Sequence, residues 1–358
     1  MNLFRPLYAR VRWPAAAIMA CALAACGGDN GSGIPPTRYT VTNLVSDGAI
    51  AAAHTDANLV NGWGVAFNPK GFVWVADAGT SRSTLYDGNG VVQSLVVATP
   101  PSPTGIVFNG STDFVVTKSG KSGASAFIFA GEEGTLAGWS PTVEPNATVT
   151  VHDGKSAGKS YKGLALAAQG GLNYLYATDF HNGAVDRFDR TFTPLPGTGL
   201  FKDAALPAGY APFGIQAIGD RVYVAYAKQD ADAHDAVNGA GLGVVDVFDT
   251  AGTFVKRLAT GGALNAPWGM ALAPAGFGTF SNALLVGNFG DGKINAFDPA
   301  TGSLLGTLAK ADGKPIVIDG LWGIAFGNGI NQQPSTTLFF ASGPADETHG
   351  LYGRIDMP

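Results

Sequence analysis

The sequence predicts an all-β protein: a six-bladed β-propeller of four-stranded antiparallel blades, its ring closed by the N-terminal strand. Three observations predict it. A five-residue phrase with glycine in second place recurs six times along the chain. Each copy is followed by short apolar runs divided by turn residues. A strand-like segment precedes the first copy, and the last copy lacks a fourth run.

The copies are Trp63-Gly64-Val65-Ala66-Phe67, Thr104-Gly105-Ile106-Val107-Phe108, Lys162-Gly163-Leu164-Ala165-Leu166, Phe213-Gly214-Ile215-Gln216-Ala217, Trp268-Gly269-Met270-Ala271-Leu272 and Trp322-Gly323-Ile324-Ala325-Phe326. Their glycines lie 41 to 58 residues apart, the period of a propeller blade or solenoid unit. Second runs are expected at Val73–Ala76, Phe114–Val116, Leu175–Ala177, Val222–Ala225, Leu284–Val286 and Leu338–Ala341. They are β-branched, aromatic and too short for helices. Third runs end in an aromatic residue and Asp, as in Tyr86-Asp87, Phe188-Asp189, Phe248-Asp249 and Phe297-Asp298, with turn residues immediately after. A fourth run, such as Val91–Val97, leads to the next copy. Radial repetition of such meanders leaves only short, protected edges. Innermost strands crowd the axis, and glycine permits their close approach. A hydrophobic content of 46% argues against disorder as the reason for 51 glycines. The final copy has runs at 322–326, 337–341 and 351–356, so Tyr39–Val45 is expected to supply the missing outer strand.

Arg5, Arg10 and Arg12 precede an apolar run from Trp13 to Ala25, which reads as a leader of residues 1–25. The leader ends Leu23-Ala24-Ala25-Cys26, which resembles a bacterial lipobox with Cys26 as the lipidated residue. With Gly27 and Gly28 following, this implies a lipid anchor in the cell envelope, at the outer membrane of a Gram-negative bacterium. An ordinary cleavage site with an incidental cysteine is the alternative, leaving a secreted or periplasmic protein. Residues 26–38 read as a flexible tether and 39–358 as the propeller. The other cysteine, Cys21, lies inside the leader, so the mature domain forms no disulfide. Loss of the three leader arginines takes the net charge from −5 to −8, which argues against a nucleic-acid partner.

In a four-stranded meander, loops entering the inner strand and loops joining second to third strands share one face. Two residue sets therefore meet there. Trp63, Thr104, Lys162, Phe213, Trp268 and Trp322 precede the glycines; Trp63, Lys162, Phe213, Trp268 and Trp322 are the ligand-binding candidates. They read either as stacking platforms for a sugar or other flat ligand, or as wedges between blades. The loops carry Asp179, His181, Asn288 and Asp346, candidate ligands for a divalent cation at the channel mouth, with His349 a candidate base. The long loop of the fourth blade offers Asp230, Asp232 and Asp235 beside His234 as oxygen donors for Ca²⁺. Its spacing is not that of an EF-hand, and solvated loop charge is the alternative. Lys118–Lys121 is placed in the corresponding loop of blade two. No HExxH or CxxC motif occurs. Gly154–Ser160 approaches a phosphate loop, but only three residues separate Gly154 from Gly158, and Tyr161 opens a strand.

The strings NGWGVAF, VWVADAGTSRSTLYDGNG, YATDFHNGAVDRFD, LLVGNFGDGKINAFDPATG and GPADETHGLYG resemble an uncharacterised family of secreted bacterial proteins with NHL-like six-bladed propellers. Some members carry a PEP-CTERM sorting signal. The resemblance spans Tyr39 to Ile355 and implies the fold and export. Two functions remain open at this point. One is a binding or scaffolding propeller presenting an aromatic and acidic mouth to a glycan, matrix component or protein. The other is a metal-dependent hydrolase or lactonase, by analogy with gluconolactonase-type propellers, in which a central cation polarises a carbonyl.

Overall fold

The computed structural model describes residues 37–358; the expected leader, Cys26 and the tether up to residue 36 lie outside them. Six sheets follow one another around an axis. Blade one is Gly62–Phe67, Val73–Asp77, Arg82–Tyr86 and Val97–Ala98, antiparallel throughout. Blades three, four and five repeat the same order from inner strands Tyr161–Gln169, Tyr210–Ile218 and Pro267–Leu272.

The phrase glycines explain why the ring closes. A Cβ on Gly64 would stand 2.6 Å from the Thr104 carbonyl oxygen of the next blade. On Gly214 it would stand 2.0 Å from that of Trp268, on Gly269 2.4 Å from that of Trp322, and on Gly323 2.5 Å from that of Trp63. Each inner strand thus abuts the backbone of its neighbour where no side chain fits. The third-strand aspartates cap the turns that follow. The Oδ1 atoms of Asp87, Asp189, Asp249 and Asp298 each accept backbone N–H groups two to four residues on.

Blade six consists of Leu321–Phe326, Leu338–Ser342 and Leu351–Asp356 with Thr40–Ser46 as its outer strand, paired from Thr40↔Asp356 to Ser46↔Leu351. His54–Thr55 adds a short parallel pairing outside it. The N-terminal strand closes the ring as expected, and Tyr39, Leu44 and Val45 are buried on it.

Blade two departs from the sequence expectation. Val115–Lys118 pairs with Lys121–Ala124 in a separate hairpin, and the second strand of the blade is Phe127–Gly131. The apolar run Phe114–Val116 packs its buried members under the blade, with Phe114 against Phe192 at 5.2 Å. Lys118–Lys121 is therefore a hairpin tip, and the loop that reaches the shared face carries Glu132 and Glu133 instead.

Candidate functional site

The two openings of the channel differ in chemistry. The lower one is about 350 Å³ and is lined by the last residues of the inner strands, including Phe67, Phe108, Leu166, Leu272 and Phe326; Gln216 is its one polar side chain. The upper one, where inner strands begin beside the ends of second strands, is about 40 Å³ and holds the titratable groups.

The floor of the upper mouth is aromatic. Trp63 and Trp322 stack at 3.5 Å, Phe289 stacks on Trp322 at 4.0 Å, and Trp268 meets both tryptophans edge-on at 5.8 and 5.7 Å. Phe213 lies 5.7 Å from Trp322. Four of the five ligand-binding candidates thus come together from four blades, but their faces are spent on one another. They plug the channel, each such contact adding roughly 0.5–1.5 kcal/mol beyond burial. Indole N–H groups anchor the plug. Trp268 donates to the Lys162 carbonyl at 2.9 Å, and Trp322 to Asn61 Oδ1 at 3.1 Å. The buried N–H of Trp63, a ring that lines the mouth, has no partner among the described residues.

Above the floor stands Lys162, with only 2% of its side chain exposed. It leads the inner strand of blade three, and the crowded strand start holds its stem. Its ammonium bonds Glu132, lies 3.6 Å from Asp235 and sits 5.5 Å from the Trp63 ring centre. Glu347, from the blade-six loop, accepts a 2.6 Å bond from Asn61 Nδ2, and Asn61 Oδ1 accepts the Trp322 indole N–H. Burial raises the Glu347 carboxyl above its ordinary value; the Asn61 bond opposes the rise and the Glu132 charge adds to it. Three carboxylates from blades two, four and six therefore face one ammonium, which leaves the mouth acidic.

The other sequence candidates fall elsewhere. Ligand atoms of Glu132, His234 and Asp235 lie within 4.8 Å of one another, the one convergence of three such side chains among the described residues. Asp179, His181, Asn288 and Asp346 do not form one. The Asp179 carboxylate is buried and accepts from Lys159, Ser160 and Asn182; His181 Nδ1 is 3.3 Å from the Ala233 carbonyl. Asn288 donates to the Ala263 carbonyl and to Asp291, and Asp346 points to solvent at φ 52°. His349 Nδ1 is 2.7 Å from Asp47 Oδ2, on the loop after the outer strand. Asp230 folds its own loop, accepting the His234 N–H at 2.8 Å, a bond that lowers its carboxyl below the ordinary range. Asp232 is exposed. Sequence reading missed Glu132 as a partner of Lys162. Glu132 was findable: a second apolar run, Phe127–Ala130, precedes Glu132-Glu133-Gly134 in a blade of unusual length.

Fold and mouth define a six-bladed propeller whose upper channel is plugged by aromatic rings beneath an acidic rim. The chain belongs to the family of two uncharacterized proteins of Acanthamoeba polyphaga mimivirus, R648 and L690. It is 34% identical to R648 over 332 residues, covering 89% of this chain and 80% of the relative. To L690 it is 33% identical over 330 residues, covering 88% and 85%. These relatives are viral, where the sequence resemblance implies a bacterial family. No family model matches the chain. Among solved structures, virginiamycin B lyase from Staphylococcus aureus is similar at a TM-score of 0.51 and 14% identity, over 90% of this chain and 100% of that one. A Bacteroides thetaiotaomicron protein of unknown function is similar at 0.57 and 12%, over 89% and 76%. At such identities the likeness shows the fold alone.

Proposed function

We propose that the protein is a binding propeller whose upper mouth takes a basic group, a protonated amine or guanidinium, presented by a protein or an amino-sugar glycan. The observation that carries the reading is the convergence of Glu132, Asp235 and Glu347 on the single Lys162. Two carboxylates remain uncompensated over a floor of rings. A cavity of about 40 Å³ admits one charged head group and a water rather than a whole sugar. Preformed acceptors on three blades favour a charge-assisted bond at low ordering cost.

The attachment geometry suits an anchored binder. The chain enters the described region at Thr37, bonded to Thr279, and Thr40 pairs with Asp356 at the end of the third strand of blade six, opposite the acidic mouth. A lipid on Cys26 would then hold the lower face to an envelope and present the mouth outward. A second reading, a divalent cation at Glu132, His234 and Asp235 serving hydrolysis, is favoured only by their mutual approach.

The test is an array of peptides and glycans in matched pairs, free amine against N-acetylated, probed with wild type and with Glu132→Gln/Asp235→Asn. Binding to free amines only, lost in the double variant, supports the reading. Indifference to acetylation contradicts it. Hydrolysis of lactones or esters that requires added Mn²⁺, Zn²⁺ or Ca²⁺ would transfer the site to the second reading.

A further inference from the structure

The six blades repeat one crevice beside the inner-strand start, and comparison among them exposes an anomaly. Its walls are a second-strand residue beside the inner-strand start and a third-strand residue on the same face: Asp77 and Thr84 in blade one, Asp179 and Asp186 in blade three, Tyr226 and Asp246 in blade four, Asn288 and Asn295 in blade five. Blades two and six place Gly131 with Ala137 and Ser342 with Gly353 there, without charge.

Where the crevice is acidic, a cation closes it. In blade three the Lys159 ammonium bridges Asp186 and, at 3.3 Å, Asp179. In blade four Arg257 lies 3.6 Å from Asp246 and pairs with Asp203. In blade five the two asparagines donate to one carbonyl, that of Ala263, at 2.8 and 2.9 Å. Blade one has no such partner. Asp77 is wholly buried, and neither of its oxygens has a hydrogen bond of normal geometry; the Thr84 hydroxyl beside it, 1% exposed, also lacks one. Asp56 adds a second carboxylate close enough for its charge to act on Asp77, and Tyr86 donates to Asp56 Oδ2 at 3.1 Å. No lysine, arginine or histidine pairs with Asp56 or Asp77 among the described residues. A buried carboxylate pair without a counter-charge costs several kcal/mol.

We propose that this crevice of blade one is a calcium site, with Asp77 and Asp56 as its charged ligands and the Thr84 hydroxyl as a neutral one. The donors are all oxygen, which selects a hard cation over zinc or copper. Two carboxylates balance a charge of +2. Neighbouring carbonyls and water complete the six to eight oxygens that calcium takes. The ion does in blade one what Lys159 does in blade three. Its place has structural consequence: Asp56 lies on the segment between the closing strand and blade one, so the ion staples the seam of the ring. Asp56, 7% exposed, is the side from which it enters.

The test is melting of the purified protein in chelator and in 1 mM Ca²⁺, with calcium content after gel filtration. Wild type should retain one ion per chain and melt higher with it, by on the order of 5 °C. Asp77→Asn should abolish both effects. Asparagine is tolerated at the equivalent position in blade five, Asn288, so the variant should fold; Thr84→Val, which removes one donor, is the second variant and should weaken retention. Glu132→Gln/Asp235→Asn should leave the calcium response intact. A wild type indifferent to calcium, or a response that survives Asp77→Asn, overturns the proposal. A response lost only in the Glu132/Asp235 variant overturns it too and moves the ion to the upper mouth.

Discussion

Asp246 gives the sharpest energetic prediction. It lies on the third strand of blade four, Val244–Asp249, with no solvent exposure and no well-formed hydrogen bond to either oxygen. Burial, then the Asp203 charge, pushes its carboxyl up to about 7 from an ordinary 3.8, against the pull of Arg257. The folded state therefore binds a proton that the unfolded state has released. Stability from this group is fully present below about pH 4 and is lost as pH rises through about 7. A gap of about three pH units at about 1.4 kcal/mol each gives a loss on the order of 4 kcal/mol. Asp246→Asn removes the titration, and Asn295 shows that the equivalent place in blade five accepts asparagine. Urea unfolding of both proteins at pH 5 and pH 8.5 measures the effect. At pH 5 about one pH unit of the gap is already lost, so the variant's stability relative to wild type should be greater at pH 8.5 than at pH 5 by about 3 kcal/mol. Other titrating groups cancel in the difference. Stability differences that stay parallel between the two pH values would refute the burial argument.

Four further outcomes follow from the same geometry. Gly214→Ala drives a Cβ to 2.0 Å from the Trp268 carbonyl oxygen, so thermal melting should show a loss of about 1–3 kcal/mol or more. Alanine at Gly262 meets no atom within 4 Å and should cost only the strain of its φ of 57°, which makes it the matched control. Deleting residues 39–46 removes the outer strand of blade six together with buried Tyr39, Leu44 and Val45, and circular dichroism should show an unfolded chain. Lys162→Met leaves three mouth carboxylates without their cation; stability at pH 7 should fall by about 3 kcal/mol, with recovery at acid pH as carboxylates take up protons.

The ring was legible because its cause is local. A glycine is required wherever an inner strand abuts the next backbone, and Gly64, Gly105, Gly163, Gly214, Gly269 and Gly323 announce six such places. The aspartates after Tyr86, Phe188, Phe248 and Phe297 announce the turns in the same way. Blade two misled because Phe114-Val115-Val116 and Phe127-Ile128-Phe129 are equally apolar. Only pairing partners decide which run joins the blade, and pairing is not local. That error hid Glu132, since it moved the loop that reaches the mouth. The identity of the face was legible from strand direction, and Lys162, Trp63 and Asp235 line one cavity on it. Whether the tryptophans would present faces or consume them was not legible, because it depends on the ring radius at the axis. The crevice at Asp77 was equally hidden, since its anomaly exists only by comparison with Lys159, Arg257 and Ala263 in other blades.

Binding of a basic group at the upper mouth is decided by one titration. An amine-bearing peptide or glycan from the array is titrated into wild type and into Glu132→Gln/Asp235→Asn at low and moderate salt. Charge-assisted bonds of about 1.5–3 kcal/mol each predict a loss of affinity of at least about tenfold in the double variant, and weaker wild-type binding as salt rises. Equal affinity for both proteins at both salt concentrations would contradict an acidic mouth that takes a basic group.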